Sequence, residues 1–248
     1  IMIGMPEDSI AILPKDSEYF DLIKDRYDNR KIKFITFGKS PESDIQMLPI
    51  TKNKNYSILN FLISGKTYKS KSKKSNPSLF ENYMPILAVG NILDIDPQDI
   101  LERLEESKGP DGRWQDLDFG YNGGVVKLIN DTYNASPESM THAIKSVSEY
   151  RSNNILRKIA IIGDMLELGT YTDEYHSRLV QVINDSDIDK VYFCGDILSS
   201  YFESINMDKQ ARTFKSCNLI DIKEYFDIRN GDLFFFKGGN QIGLNKLV

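Results

Sequence analysis

Cysteine is scarce in this chain: among 248 residues only Cys194 and Cys217 carry a thiol. They lie far apart, in no C-x-x-C pattern, and neither histidine, His142 nor His176, is close to them in sequence. This argues against a disulfide framework or a zinc site, and both thiols are expected to be plain buried side chains. Long apolar runs are missing too. Nothing approaches the roughly 20 residues that span a bilayer, and the opening IMIGMPEDSIAIL has neither the basic flank nor the cleavage site of a secretory signal. A soluble, cytoplasmic protein with no membrane partner is expected.

Positive charge is also in short supply. Lys and Arg number 31 against 36 Asp and Glu, so a net charge of -5 gives no electrostatic reason to expect nucleic acid or an anionic membrane surface as a partner. A few local cations could still hold an anionic small molecule. The chain opens on Ile1 rather than a start methionine and reads as a segment entered midway through a domain, so a fragment is expected. No internal repeat and no long low-complexity segment occurs.

The composition, 40% hydrophobic and 27% charged, suffices for a sizeable core in more than one domain. In residues 9–38 two apolar runs, IAIL and KFITFG, flank a helix-forming stretch around Tyr19, Phe20, Leu22 and Ile23, which predicts a β-α-β unit. The alternating YSILNFLISGKTYKS predicts an edge hairpin turning at Gly65-Lys66. The basic, serine-rich residues 66–74 read as its solvated end rather than as a phosphate-contacting loop. Two helices follow, one apolar through Met84, Ile86, Leu87, Val89 and Ile92, the other capped by Asp96-Pro97 with Ile100, Leu101 and Leu104 on one face. The turn-forming Lys108-Gly109-Pro110-Asp111-Gly112 sets the domain boundary, giving domains of residues 1–108 and 109–248.

Beyond it, strands predicted at 125–130, 158–162, 190–194, 212–214 and 233–237 alternate with helices, which implies an α/β fold: a mostly parallel sheet with helices on both faces. Ser136-Pro137 begins one helix, with Met140, Ala143, Ile144 and Val147 spaced along a single face. A second starts near Thr172, with Asp173 and Glu174 in its first turn and Tyr175, Leu179, Val182 and Ile183 pointing inward.

Open α/β sheets bind ligands beyond the carboxyl ends of their strands. Four loops there carry polar groups: residues 131–136, 163–169 (GDMLELG), Gly195-Asp196, and Lys237-Gly238-Gly239-Asn240. Glycines let backbone amides turn toward a ligand and Lys237 adds a compact positive charge, which suits a carboxylate or phosphate. Each loop taken alone is equally compatible with an ordinary exposed connection.

Together the loops resemble the bacterial Mur ligases. INDTYNASPESM, GDMLELG with His176 seven residues later, and KGGNQIGLNKLV are similar to the family patterns D-S-Y-N-A-N-P, G-D-M-x-E-L-G and K-G-S-R. The branch most resembled adds D-alanyl-D-alanine to UDP-N-acetylmuramoyl tripeptide; the branch that adds the third residue carries D-N-P-R in place of GDMLELG. Gly112-Arg113-Trp114 looks like the Gly-Arg opening of the third domain, and residues 6–104 like the later part of the central ATPase domain. The resemblance implies part of that ATPase domain followed by a Rossmann-like C-terminal domain. It implies ATP and Mg2+ as cofactors, no bound metal on the protein itself, and UDP-N-acetylmuramoyl peptide and D-alanyl-D-alanine as small-molecule partners of a monomer.

By the match, Arg113 faces the ATP phosphates, Asp131 the ribose, and Asn134 and Ser136 the region between nucleotide and acceptor, while Lys237 holds the incoming carboxylate. Asp164, Glu167 and Gly238 complete the expected substrate contacts. His176 is expected to cap or pack, and His142 to be solvated. Departures accompany the match. No G-x-x-x-x-G-K-[ST] occurs, so the phosphate cradle is absent from these residues. Ser78-Leu79-Phe80-Glu81-Asn82 stands where the family has H-N-x-x-N against adenine, leaving Asn82 as the one retained contact, and leucine offers a base no hydrogen bond. Gly239-Asn240 replace Ser-Arg, and Ser136 replaces an asparagine. Two alternatives stay open: a non-catalytic relative that binds a nucleotide-sugar peptide or a partner ligase, and a ligase of this fold with another amine donor.

Overall fold

The computed structural model describes residues 2–27, 29–53, 56–74, 77–107, 109–152 and 154–248, without the side chains of Met2, Pro77, Ser78 and Lys223. Lys108 of the boundary cluster and the Ser78 side chain of the adenine-facing stretch therefore lie outside the described residues. The chain forms two compact units, Ile1–Lys108 and Gly109–Val248.

In the first unit, β1 (Ile10–Pro14) and β2 (Lys33–Gly38) pair in parallel, joined through α1 (Phe20–Tyr27), whose Phe20 is buried. β3 (Ile45–Met47) and the short β4 (Thr51–Lys52) both lie on one edge of β5 (Ser57–Ile63), and β6 (Lys66–Ser72) lies on its other edge. The β5–β6 turn uses Ser64 and Gly65, both at positive φ (49° and 78°), the two-residue geometry that matches strand twist. Lys66, Lys69, Lys71 and Lys73 are exposed, as a solvated hairpin requires. Lys74 differs: it donates to Leu104 O and to the Tyr83 hydroxyl, capping a helix end.

α2 (Pro77–Glu81), α3 (Tyr83–Ile92) and α4 (Pro97–Glu106) complete this unit. Asp96 accepts from Gln98 N at 2.9 Å ahead of Pro97, the expected cap. Met84, Leu87 and Leu101 are buried against Leu59 and Phe61 of the sheet, but Ile86 and Val89 of the expected apolar run are 44% and 45% exposed. One side of a helix suffices to meet a sheet, and Tyr83, Ala88 and Gly90 fill it instead.

The second unit begins with β7 (Gln115–Tyr121) and β8 (Gly124–Asp131), followed by α5 (Pro137–Ser148), β9 (Arg157–Gly163), α6 (Thr172–Asn184) and β10 (Lys190–Cys194). Then come α7 (Asp196–Ser200), β11 (Gln210–Phe214), α8 (Ile222–Tyr225) and β12 (Asp232–Lys237). Strand order is β11-β10-β9-β12-β8-β7, parallel throughout except for the antiparallel edge strand β7. β7 is not among the expected strands, although its turn, Asn122-Gly123 with both φ positive, is a strong hairpin signal. Its exposed Asp116 and Asp118 obscure the strand.

Both faces of this sheet are covered, so its central strands are apolar without alternation. Leu233 and Phe235 of β12 join Ala160 and Ile162 of β9 beneath α5 and α6, while Phe234, Phe236, Ile159 and Ile161 face the other way. The elements that close that second face are short. Short turns at Cys217–Leu219 and Leu244–Leu247, with the four-residue α8, supply Cys217, Ile220, Phe226 and Leu244. Among the described residues no helix is long and apolar enough to cross a membrane.

Cys194 and Cys217 are 0% and 4% exposed, and burial pushes the Cys194 thiol up to about 12, far from its reactive form. Ellman titration of the native protein is expected to modify neither cysteine, and to modify both once denaturant is added; fast reaction before unfolding would contradict this core.

Candidate functional site

The carboxyl ends of β8 and β12 are adjacent, and their register sets Lys237 directly beside Asp131. Lys237 Nζ donates to Asp131 Oδ2 at 2.7 Å and to the Asn134 carbonyl at 3.0 Å. The lysine side chain is only 3% exposed and the aspartate 18%. Burial outweighs the attraction of the ammonium and raises the Asp131 carboxyl above the usual carboxylate range; the bonds from Lys237 and Trp114 and the more distant Arg113 oppose that shift. The other oxygen, Oδ1, accepts from Trp114 N at 3.2 Å. One carboxylate thus ties together β8, β12 and the segment leading into β7.

That segment is fastened a second time. Gln115 Oε1 accepts from Asn130 Nδ2 at 3.0 Å and from Gly112 N at 2.9 Å, and Tyr133 N donates to Gly112 O at 2.9 Å. Asn130 Oδ1 in turn accepts from the Thr132 hydroxyl at 2.7 Å. Trp114 adopts a positive φ of 50°, and its ring lies 5.8 Å from that of Phe235. Between these anchors Arg113 is exposed, its guanidinium 4.2 Å from the centre of the Tyr133 ring. Asn134 is exposed, with Oδ1 accepting from Ala135 N at 2.8 Å. Ser136 caps α5 in a reciprocal capping box with Ser139.

The GDMLELG loop uses its polar groups inwardly. Asp164 is 3% exposed and accepts from Ile197 N at 3.1 Å and Leu198 N at 2.8 Å, capping α7. His176, fully buried, accepts at Nε2 from Met165 N at 3.1 Å and lies 2.7 Å at Nδ1 from the Thr172 carbonyl, so the ring ties the loop to α6. Glu167 is exposed, at a positive φ of 62°. A Cβ on Gly238 would come within 2.8 Å of Gly163 Cα, so this glycine lets the ends of β9 and β12 approach, and Gly239 N then donates to Asp164 O at 3.0 Å. His142 is exposed. In the first unit Asn82 is exposed ahead of α3 with no side-chain cap bond, and Leu79 packs against that unit's core.

Arg113, Asp131, Asn134 and Lys237 are therefore linked by direct contacts through the 131–134 loop, with Ser136 two residues further on. The Asp164 carboxylate is turned into the protein. Gln115, Trp114 and Tyr133 have parts in this arrangement that sequence reasoning did not assign; the single tryptophan directly after Arg113 was the available signal. The exposed guanidinium and amide offer hydrogen-bond donors suited to an anion.

The family described as "Mur ligase, glutamate ligase domain" matches residues 112–238. The chain is 26% identical over 253 residues to the UDP-N-acetylmuramoyl-tripeptide–D-alanyl-D-alanine ligase of Bacillus subtilis, a match covering 100% of the chain and 52% of that protein. The enzyme of the same name from Rickettsia prowazekii is 28% identical over 172 residues, covering 67% of the chain and 36% of the relative. In fold the chain is similar to MurF from Acinetobacter baumannii, with a TM-score of 0.75 at 20% identity over 96% of this chain and 50% of that one. It is similar also to the MurF ligase from Thermotoga maritima in complex with ADP, with a TM-score of 0.74 at 23% identity over 97% and 52% of the two chains. The chain thus spans about half the length of the Bacillus relative.

Replacing Lys237 by Met leaves the Asp131 carboxylate and the Asn134 carbonyl without their buried partner. Urea denaturation is expected to show a loss of about 3 kcal/mol, and a variant as stable as wild type would mean that water already serves both groups.

Proposed function

Because this chain belongs to the Mur ligase family, we propose that the protein carrying it is an ATP-dependent amide ligase of peptidoglycan precursor synthesis, which adds D-alanyl-D-alanine to UDP-N-acetylmuramoyl tripeptide. The observation that supports this most is the alignment of the whole chain with a curated enzyme of that name. In this reading ATP phosphorylates the terminal carboxylate of the tripeptide, and the dipeptide amine attacks the acyl phosphate and expels phosphate. The work of this half of the protein is to hold and orient charge.

Arg113 suits the phosphate role because its guanidinium is exposed beside the strand-end loops. Asp131 keeps acceptor capacity beyond its bonds to Lys237 and Trp114, enough to receive a ribose hydroxyl. Asn134 presents its amide between the two. Lys237 has three ammonium hydrogens and two protein acceptors, so one hydrogen is left for the carboxylate of the incoming dipeptide. Reaching it requires the 131–136 loop to shift, since the side chain is 3% exposed. Magnesium would neutralise phosphate charge. Among the described residues no group of three His, Cys, Asp or Glu side chains is arranged to hold it. The protein acts as a cytoplasmic monomer in this proposal.

One observation favours a second reading. Leu79, half-buried, packs against the core of the first unit, where the family pattern offers an adenine-facing polar group, and this suits a relative that binds the UDP-peptide without turnover. The deciding measurement is phosphate release by the complete natural chain given UDP-N-acetylmuramoyl tripeptide, ATP, magnesium and D-alanyl-D-alanine. Dipeptide-dependent release that drops about 100-fold in Arg113→Ala is expected. A folded protein that binds the UDP-peptide and releases nothing would establish the binding reading instead. The 248-residue chain alone is expected to be inactive, because it lacks a phosphate-cradling G-x-x-x-x-G-K-[ST] loop.

A further inference from the structure

Arg113 sits on an exposed turn, yet its backbone is fixed on both sides. Gly112, before it, accepts from Tyr133 N at 2.9 Å, and a Cβ at that glycine would stand 3.2 Å from the same nitrogen. Trp114, after it, donates to Asp131 Oδ1 at 3.2 Å. The side chain then lies across the Tyr133 ring, 4.2 Å from its centre. A guanidinium held by its flat face keeps its in-plane N–H donors free. Among the described residues, none accepts a hydrogen bond from the Arg113 guanidinium, and none bonds the Tyr133 hydroxyl. The ring is 51% exposed at a loop tip, outside the hydrophobic clusters of the unit.

We propose that Tyr133 is a positioning residue: its ring is the platform that holds the Arg113 guanidinium with its donor edge presented to the anionic phosphates of the nucleotide. This deepens the ligase reading above and rests on it. The role belongs to the aromatic face, so the hydroxyl is dispensable and an aliphatic side chain of similar size cannot replace the ring.

The test uses the complete natural chain as wild type, Tyr133→Phe and Tyr133→Leu, with ATP varied at saturating UDP-N-acetylmuramoyl tripeptide and D-alanyl-D-alanine. Tyr133→Leu is expected to raise KM for ATP about two- to fivefold, equivalent to about 0.5–1 kcal/mol at 1.36 kcal/mol per tenfold, with a smaller change in kcat. Tyr133→Phe restores the wild-type KM. In parallel, the 15N-resolved Nε–H resonance of Arg113, displaced by the ring current in wild type and Tyr133→Phe, moves toward the free-arginine position in Tyr133→Leu. An unchanged KM in Tyr133→Leu, or a Tyr133→Phe variant as impaired as Tyr133→Leu, overturns the proposal. An inactive wild type counts against the ligase reading instead. The resonance then still decides: the same Arg113 shift in wild type and Tyr133→Leu overturns the platform.

Discussion

An ammonium with 3% of its side chain exposed, set against a carboxylate by strand register, is the constraint on which the carboxyl edge of the second sheet depends. Burying two charges is costly, and such a pair is a poor source of net stability. What it does well is specify an arrangement. Lys237 satisfies Asp131 and the Asn134 carbonyl together, and Asp131 also receives the Trp114 amide, so the strand ends and two loops share a single solution. The apolar side chains of β12, facing alternately to the two sides, account for cohesion. The ion pair fixes where the loops go.

The same division of labour governs GDMLELG. A buried carboxylate or imidazole has to find partners, because an unsatisfied one costs more than most single contacts return. Asp164 finds two amides at the start of α7, and His176 finds an amide in the loop and a carbonyl in its own helix. Their chemistry is spent on shape. The groups left facing solvent, Arg113, Asn134 and Glu167, are the ones available to a ligand.

Fold was legible wherever a pattern was local. The apolar runs of β9 and β12, the Ser136-Pro137 start of α5 and the Asp96-Pro97 cap each reflect neighbours in sequence. β7 is masked locally by its exposed aspartates, although Asn122-Gly123 marks the turn. Ile86 and Val89 misled because a helix apolar on several sides does not say which side meets the sheet. The union of Asp131 with Lys237 spans 106 residues and depends on strand register, which no local pattern encodes. The family resemblance nominated those two residues and Arg113, whereas Tyr133 emerges only from the stacking geometry.

The unequal covering of the second sheet also divides it mechanically. On one side α5 and α6 follow directly from the 131–136 and 163–169 loops, and continuous helical hydrogen bonding carries those loops into the core. On the other, short turns each contribute a side chain or two and close local backbone bonds such as Ile220 N to Cys217 O and Lys246 N to Gly243 O, with no long helix behind them. Local unfolding on that side is expected to cost less than undocking the two helices, and because Leu244 packs beside Gly163 and Gly238 it would reach the end of β12 before it reaches the 131–136 loop.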